Sequence, residues 1–175
     1  MDPRHWNLLS SSRVESLTPP AQFAAYAMAY LDSAEQLCRL LARSHRKATF
    51  ERGSVVLYLA AHAVELFLKG AILRKAPDES FNHDLEHIHN RYNALYPAKR
   101  YRFQMPFRTE YGDLSPSDIK AAKALSRPID QRFRYPHDKD GKPWPGAHSF
   151  EARSFLEELN ILHTSFECLL RAYDG

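Results

Sequence analysis

From Phe23 onward, apolar side chains recur at steps of three and four: Phe23, Tyr26, Tyr30, Ala34, Leu37 and Leu41. That spacing puts them on one face of an amphipathic helix. Thr18 ahead of Pro19 and Pro20 predicts its start: threonine caps helices, and prolines in the first turn lack only N–H groups that have no helical partner there. The basic stretch Arg43 to Lys47 ends it. A second helix is predicted from a cap at Ser54 to about Lys75, with Val55, Leu59, Leu66, Ile72 and Leu73 among residues apolar nearly all round, the pattern of a central helix. Pro77 closes it, and Asp78 to Asn82 turns the chain. A third stripe, Phe81, Leu85, Ile88, Tyr92 and Leu95, runs to Pro97. The short connection predicts that helices two and three are antiparallel neighbours.

Ala98 to Leu114 alternates basic and aromatic residues without a helical period and is expected to be a long loop. Ser115, Pro116 and Asp118 supply cap, first-turn proline and acid for a short helix through about Leu125. Arg127 to Gly146, with Pro128, Pro136, Pro143, Pro145 and a turn at Asp140 and Gly141, cannot be one helix. Phe150, Phe155, Leu159, Leu162, Phe166, Leu169 and Tyr173 predict a last long helix over about Ala147 to Ala172. The expected fold is all-α: an up-and-down antiparallel four-helix bundle with an extra short helix and a long proline-rich loop. It forms a single domain over 1–175, with its core at about 18–173.

Composition supports a packed domain: 44% of the 175 residues are hydrophobic, enough to bury a real core. Met1 to Ser12 has no apolar stretch suited to a signal peptide, so a cytoplasmic location is expected. His62, Glu65 and Lys69 interrupt Val55 to Leu73 and would be costly against lipid, which predicts a core helix and no membrane span. Cys38 and Cys168 belong to no CxxC pair and are expected to be buried free thiols. A balance of 24 basic and 21 acidic residues gives +3, too little to announce a nucleic-acid partner. Local charge says more, because Lys99, Arg100, Arg102 and Arg108 meet no acid until Glu110.

Four groups of residues carry candidate chemistry. His62, Glu65 and Lys69 share one stripe of helix two, with Glu65 and Lys69 spaced for an ion pair. The stripe is a polar site between helices, an internal pair that fixes packing, or a strip facing solvent. His83, Asp84, His87 and His89 cluster where helix three begins. His83 and His87 have a spacing that can share a metal, but no third ligand follows at metalloenzyme spacing. Neither metal nor cofactor is expected, and His83 is read as capping or pairing across the bundle. In Lys99, Arg100, Tyr101, Arg102 and the residues to Arg108, cations can hold phosphates while rings stack on bases. The other reading is a loop that buries its rings and leaves its cations solvated. Lastly, Arg132 and His137 pair a guanidinium able to stabilise phosphate charge with an imidazole able to move a proton, the minimum for metal-free RNA cleavage. Lys99, Arg100 and Arg102 are expected to join Arg132 and Arg134 on one face.

Taken in order, Ala61-His62-Ala63-Val64-Glu65-Leu66-Phe67-Leu68-Lys69, His83-Asp84-Leu85 and Arg134-Tyr135-Pro136 resemble the HEPN superfamily, a helical nucleotide-binding domain of prokaryotes and some eukaryotes. The resemblance covers roughly residues 21 to 172. It implies an up-and-down helical bundle, frequent dimerisation, and roles in toxin–antitoxin pairs, phage defence or nucleotide binding. Catalytic members place an arginine, four to six spacer residues and a histidine near the start of the final helix, with two copies facing each other in a dimer. The matching positions here are Arg132 and His137. Pro136 directly before His137 disfavours helical geometry, and Phe133 follows the arginine where active members commonly carry a polar residue. Arg134, Tyr135 and Pro136 are similar to a branch in which this segment is structural or ligand-binding, so Arg134 and Tyr135 join the ligand-binding candidates.

These features lead to a non-catalytic, dimeric HEPN-like domain that binds a nucleotide, a nucleic acid or a nucleotidyltransferase-type protein partner. One alternative is a metal-independent endoribonuclease with His137 as general acid or base and Arg132 stabilising the developing charge. The other is a plain protein-interaction bundle. A homodimer is also expected from aromatics that want cover, including Phe103, Phe107 and Trp144.

Overall fold

A computed structural model describes residues 10–44, 46–107, 112–126, 129–144 and 149–174. Arg108, Glu110, Arg127, Pro128, Pro145 and Ala147, all used in the sequence reading, lie outside them. The described residues are mostly helical: α1 (Ser12–Glu15), α2 (Pro19–Arg43), α3 (Phe50–Lys75), α4 (Leu85–Leu95), a 3-10 turn (Lys99–Tyr101), α5 (Pro116–Ser126), α6 (Ile129–Arg132) and α7 (Ala152–Asp174). Among them the only extended pairing is an isolated bridge between His137 and Pro143.

α2 starts where its prolines place it. Thr18 has extended backbone, but its side chain makes no capping hydrogen bond, so the fixed φ of Pro19 and Pro20 sets the entry. The buried face is Ala27, Leu31, Ala34, Cys38 and Leu41, rotated from the expected stripe, and Tyr26 is 53% exposed. Close approach to α3 is the reason: small side chains face the neighbouring helix and rings are displaced to the flank. At Gly70 a Cβ would come within 3.0 Å of both Phe23 Cβ and the Pro20 carbonyl. With Tyr30 packed edge-on against His62 at 4.6 Å, these contacts make α2 and α3 antiparallel.

α3 begins at Phe50, four residues before the expected cap, with Thr49 as N-cap and Ser54 inside the helix. Its second half is buried nearly all round, through Val64, Phe67, Leu68 and Ile72; of the residues expected in the core, Leu59, Leu66 and Leu73 are half-buried and Val55, near the start, is 46% exposed. Length and composition alone would let this helix cross a membrane, and 67% of its most apolar window is buried inside the fold. α7 follows α3 in the same sense, with Phe67 stacked on Phe166 at 3.8 Å and Arg74 over the Tyr173 ring at 5.4 Å. It opposes α2, where Cys38 Sγ donates to the Ala152 carbonyl at 3.2 Å and His163 bonds Asp32 at 3.0 Å. α7 starts later than expected because the Glu151 carboxylate accepts from the Arg153 and Ser154 N–H groups.

The expectation that α3 and α4 are antiparallel is corrected. After Lys75 the loop itself runs back along α3, placing Phe81 beside Lys69 and His83 beside Glu65. The Asp84 carboxylate then caps α4, accepting from Glu86 and His87 N–H groups, and α4 returns until Leu95 and Tyr96 reach Lys75 and Ala71. α4 therefore runs in the same sense as the second half of α3. His83 precedes the helix, so its i, i+4 spacing to His87 does not put the two on one helical face.

Two burial expectations also change. Cys168 is exposed, because Leu162, Phe166 and Leu169 take the inner face of α7. Cys38 is buried, and burial pushes its thiol up to about 11. Of the rings on which the expectation of a dimer rested, Phe103 and Phe107 are covered within the chain, while Trp144 is partly buried. Phe103 packs against Phe67, Tyr92 and Phe166, Phe107 against Phe133 and Phe155, and Trp144 donates its indole N–H to the Tyr135 carbonyl at 2.7 Å.

Candidate functional site

The polar stripe of α3 closes around one carboxylate. Glu65 Oε1 accepts from Lys69 Nζ at 2.5 Å and from His83 Nδ1 at 2.9 Å, while His62 Nδ1 lies 3.9 Å from Oε2. Glu65 and Lys69 are buried; the His83 side chain is mostly exposed. Tyr30 meets the His62 ring edge-on and Tyr58 stacks on it at 5.8 Å. Burial by itself would raise the Glu65 carboxyl, but the neighbouring His62 imidazole, the hydrogen bond from Lys69 and the charges of Lys69 and His83 outweigh it and hold the group at about 2. All four residues chosen from sequence thus meet here, and the arrangement is a satisfied ion cluster that ties the 76–84 loop to α3.

A second feature lies where the start of α2 meets the ends of α3, α4 and α7. A cleft of about 900 Å³ is lined by Thr18, Pro19, Pro20 and Ala21 on one side, and by Arg74, Lys75, Tyr96, Arg100, Tyr101 and Tyr173 on the others. Each cation rests over a ring: Lys75 over Tyr96 at 4.3 Å, Arg100 over Tyr101 at 4.8 Å and Arg74 over Tyr173 at 5.4 Å. Lys75 Nζ also donates to the Leu95 carbonyl at 2.7 Å. The rings are fixed in turn. Tyr96 O–H donates to the Ala71 carbonyl at 2.8 Å, Tyr92 O–H donates to the Tyr101 carbonyl at 2.7 Å, and the Tyr92 and Tyr173 oxygens stand 2.8 Å apart. Burial pushes the Tyr92 hydroxyl up to about 12 and raises Tyr173 and Tyr96 as well, so all three stay neutral donors. No carboxylate is among the described residues lining the cleft.

The basic segment splits on this frame. Arg100 and Tyr101 line the cleft; Lys99 and Arg102 share the same short turn, are exposed, and do not line it. Arg74 and Lys75, which complete the cation set, were not chosen from sequence. The usable signal was their position in the last turn of α3, where cations also complement the helix dipole.

Arg132, Arg134 and Tyr135 lie elsewhere. They line a groove of about 490 Å³ with Phe50, Glu51, Val55 and Trp144, at the beginning of α3. Arg134 lies over the Tyr58 and Tyr135 rings at 5.9 and 5.0 Å. Burial pulls the Arg132 guanidinium below its ordinary range. About 20 residues of helix, or roughly 30 Å, separate this groove from Arg74, so the expected single face joining Arg100 to Arg132 and Arg134 does not form. His137 is exposed, pairs its backbone with Pro143 beyond the end of α6, and does not line the groove around Arg132. Arg132 and His137 both precede α7, and the final helix carries neither. No protein-family model, curated protein or solved structure matches the chain.

Proposed function

We propose that the chain is a non-catalytic HEPN-like domain, a four-helix bundle of α2, α3, α4 and α7, that binds a nucleotide or nucleic acid in the cleft at the start of α2. One observation carries this reading: Arg74 and Lys75, from the last turn of α3, meet Arg100, from the 3-10 turn, on a tyrosine-lined cleft without a lining carboxylate among the described residues. Cations held over rings suit phosphate groups and lose little order on binding. A cytoplasmic location, a homodimer and a nucleotidyltransferase-type partner in a toxin–antitoxin or defence setting belong to the same reading. Support for a contact surface comes from Tyr26 and Leu40, exposed and fourteen residues apart on one side of α2.

The test is a titration of labelled single-stranded RNA and of ATP at low and moderate salt, with the parent protein and with Lys99, Arg100 and Arg102 all changed to Ala. Binding that weakens steeply with salt, and at least about tenfold in the triple variant, is expected. Unaltered binding in the variant would remove this loop from the site, and no binding in the parent would put the protein-interaction bundle ahead. The ribonuclease alternative is less well supported, because His137 stands outside the groove that holds Arg132. Cellular RNA incubated with the protein is expected to stay intact with and without chelator. Chelator-resistant cleavage abolished by His137→Ala would establish the enzyme instead.

A further inference from the structure

We infer that the cleft holds a terminal polyphosphate and reads its charge, not the base attached to it. This rests on the reading of the chain as a nucleotide or nucleic-acid binder and names the part of such a ligand that is recognised.

The tyrosines are the deciding observation. A stacking platform needs a ring face open to a base, yet Tyr96, Tyr101 and Tyr173 each carry a cation over the ring and a second ring against it: Tyr101 stacks on Tyr173 at 5.8 Å, and Tyr96 meets both at 5.1 Å. The Tyr96 and Tyr173 hydroxyls are also engaged, with Ala71 and Tyr92. What the rings present to the cleft is the cations. The guanidinium carbons of Arg74 and Arg100 lie over rings at the edge of the cleft, and the planar guanidinium fork matches phosphate oxygens. The start of α2 adds positive potential from one side of the cleft. Its prolines leave Ala21 the sole N–H of the first three helical residues, and the Thr18 side chain does not cap it. Three cations in one concavity suit a group that concentrates several charges, as a triphosphate does; a diester strand distributes one charge per nucleotide.

Calorimetric titration at low salt with sodium tripolyphosphate, ATP, GTP and adenosine tests this. Tripolyphosphate, ATP and GTP are expected to bind within about threefold of one another, with adenosine giving no heat; Arg100→Ala should weaken all three anions by a similar factor of about ten. Arg74→Ala is the second variant, and circular dichroism checks that both fold. Two RNAs of one sequence, ending in a 5′-triphosphate or a 5′-hydroxyl, identify the source, and preference for the triphosphate end supports the inference. Binding of ATP without tripolyphosphate, or equal binding of the two RNAs, overturns the polyphosphate assignment and leaves nucleotide or nucleic-acid binding in place. Failure of ATP, both RNAs and tripolyphosphate together removes the underlying reading as well.

Discussion

Lys69 Nζ lies 2.5 Å from Glu65 Oε1 inside the most buried helix of the chain, one turn apart on α3. Removing one member of such a pair leaves a charge that water cannot fully solvate, so Glu65→Ala should cost on the order of 3 kcal/mol in denaturant unfolding. Changing both residues to Met should cost much less, because no buried charge is left behind. An unchanged melting temperature in Glu65→Ala would show that the pair is solvated.

The same carboxylate sets an acid limit. Its ionised form is favoured in the fold, at about 2 against the usual 4.5, so the stability it contributes is complete above pH 4.5 and is lost as pH falls from there towards 2. Unfolding free energy measured across that window should drop less steeply in the double Met variant. Identical slopes in both proteins would contradict the arrangement around Glu65.

Much of this cluster was legible in sequence, because the i, i+3 and i+4 spacings fix which helical residues are neighbours whatever the rest of the chain does. The starts of α2 and α5 were legible for the same local reason: prolines and caps act within one turn. What failed depended on distance through the fold. Lys99 to Arg102 and Arg132 to Arg134 looked like one basic face, yet α3 holds them apart near its two ends. Arg74 and Lys75 meet Arg100 only because the 76–84 loop runs back and α4 returns beside α3, and no local pattern announces that path. Tyr26 looked like core because rings dominate a hydrophobic stripe by size, whereas the α2–α3 contact selects small residues.

Gly70→Ala tests that close contact. Alanine is favoured over glycine in a helix by about 1 kcal/mol, but the new Cβ would sit 3.0 Å from the Pro20 carbonyl, backbone that no rotamer change can move. Overpacking of this kind costs about 1–3 kcal/mol, so the melting temperature should fall, and polyphosphate affinity with it, as the start of α2 is pushed from α3. A more stable Gly70→Ala protein would show that the helices are further apart.

Tyr92→Phe links stability to the cleft. It strips a partner from the Tyr101 carbonyl and the Tyr173 hydroxyl, which should cost about 1–3 kcal/mol and weaken ligand binding by loosening the turn that carries Arg100. Since burial raises Tyr92 from 10 to about 12, the parent should lose stability as pH climbs through that interval, and the variant less so. Unfolding curves at pH 8 and pH 11 make the comparison.

The most direct test of where the ligand binds is an amide chemical-shift titration of the labelled protein with ATP. Shifts are expected at Ala21, Arg74, Lys75, Arg100 and Tyr101, with Val55, Arg132, Arg134 and Tyr135 unmoved. Shifts confined to the Arg132 groove, or none at saturating ATP, would contradict the assignment of the cleft.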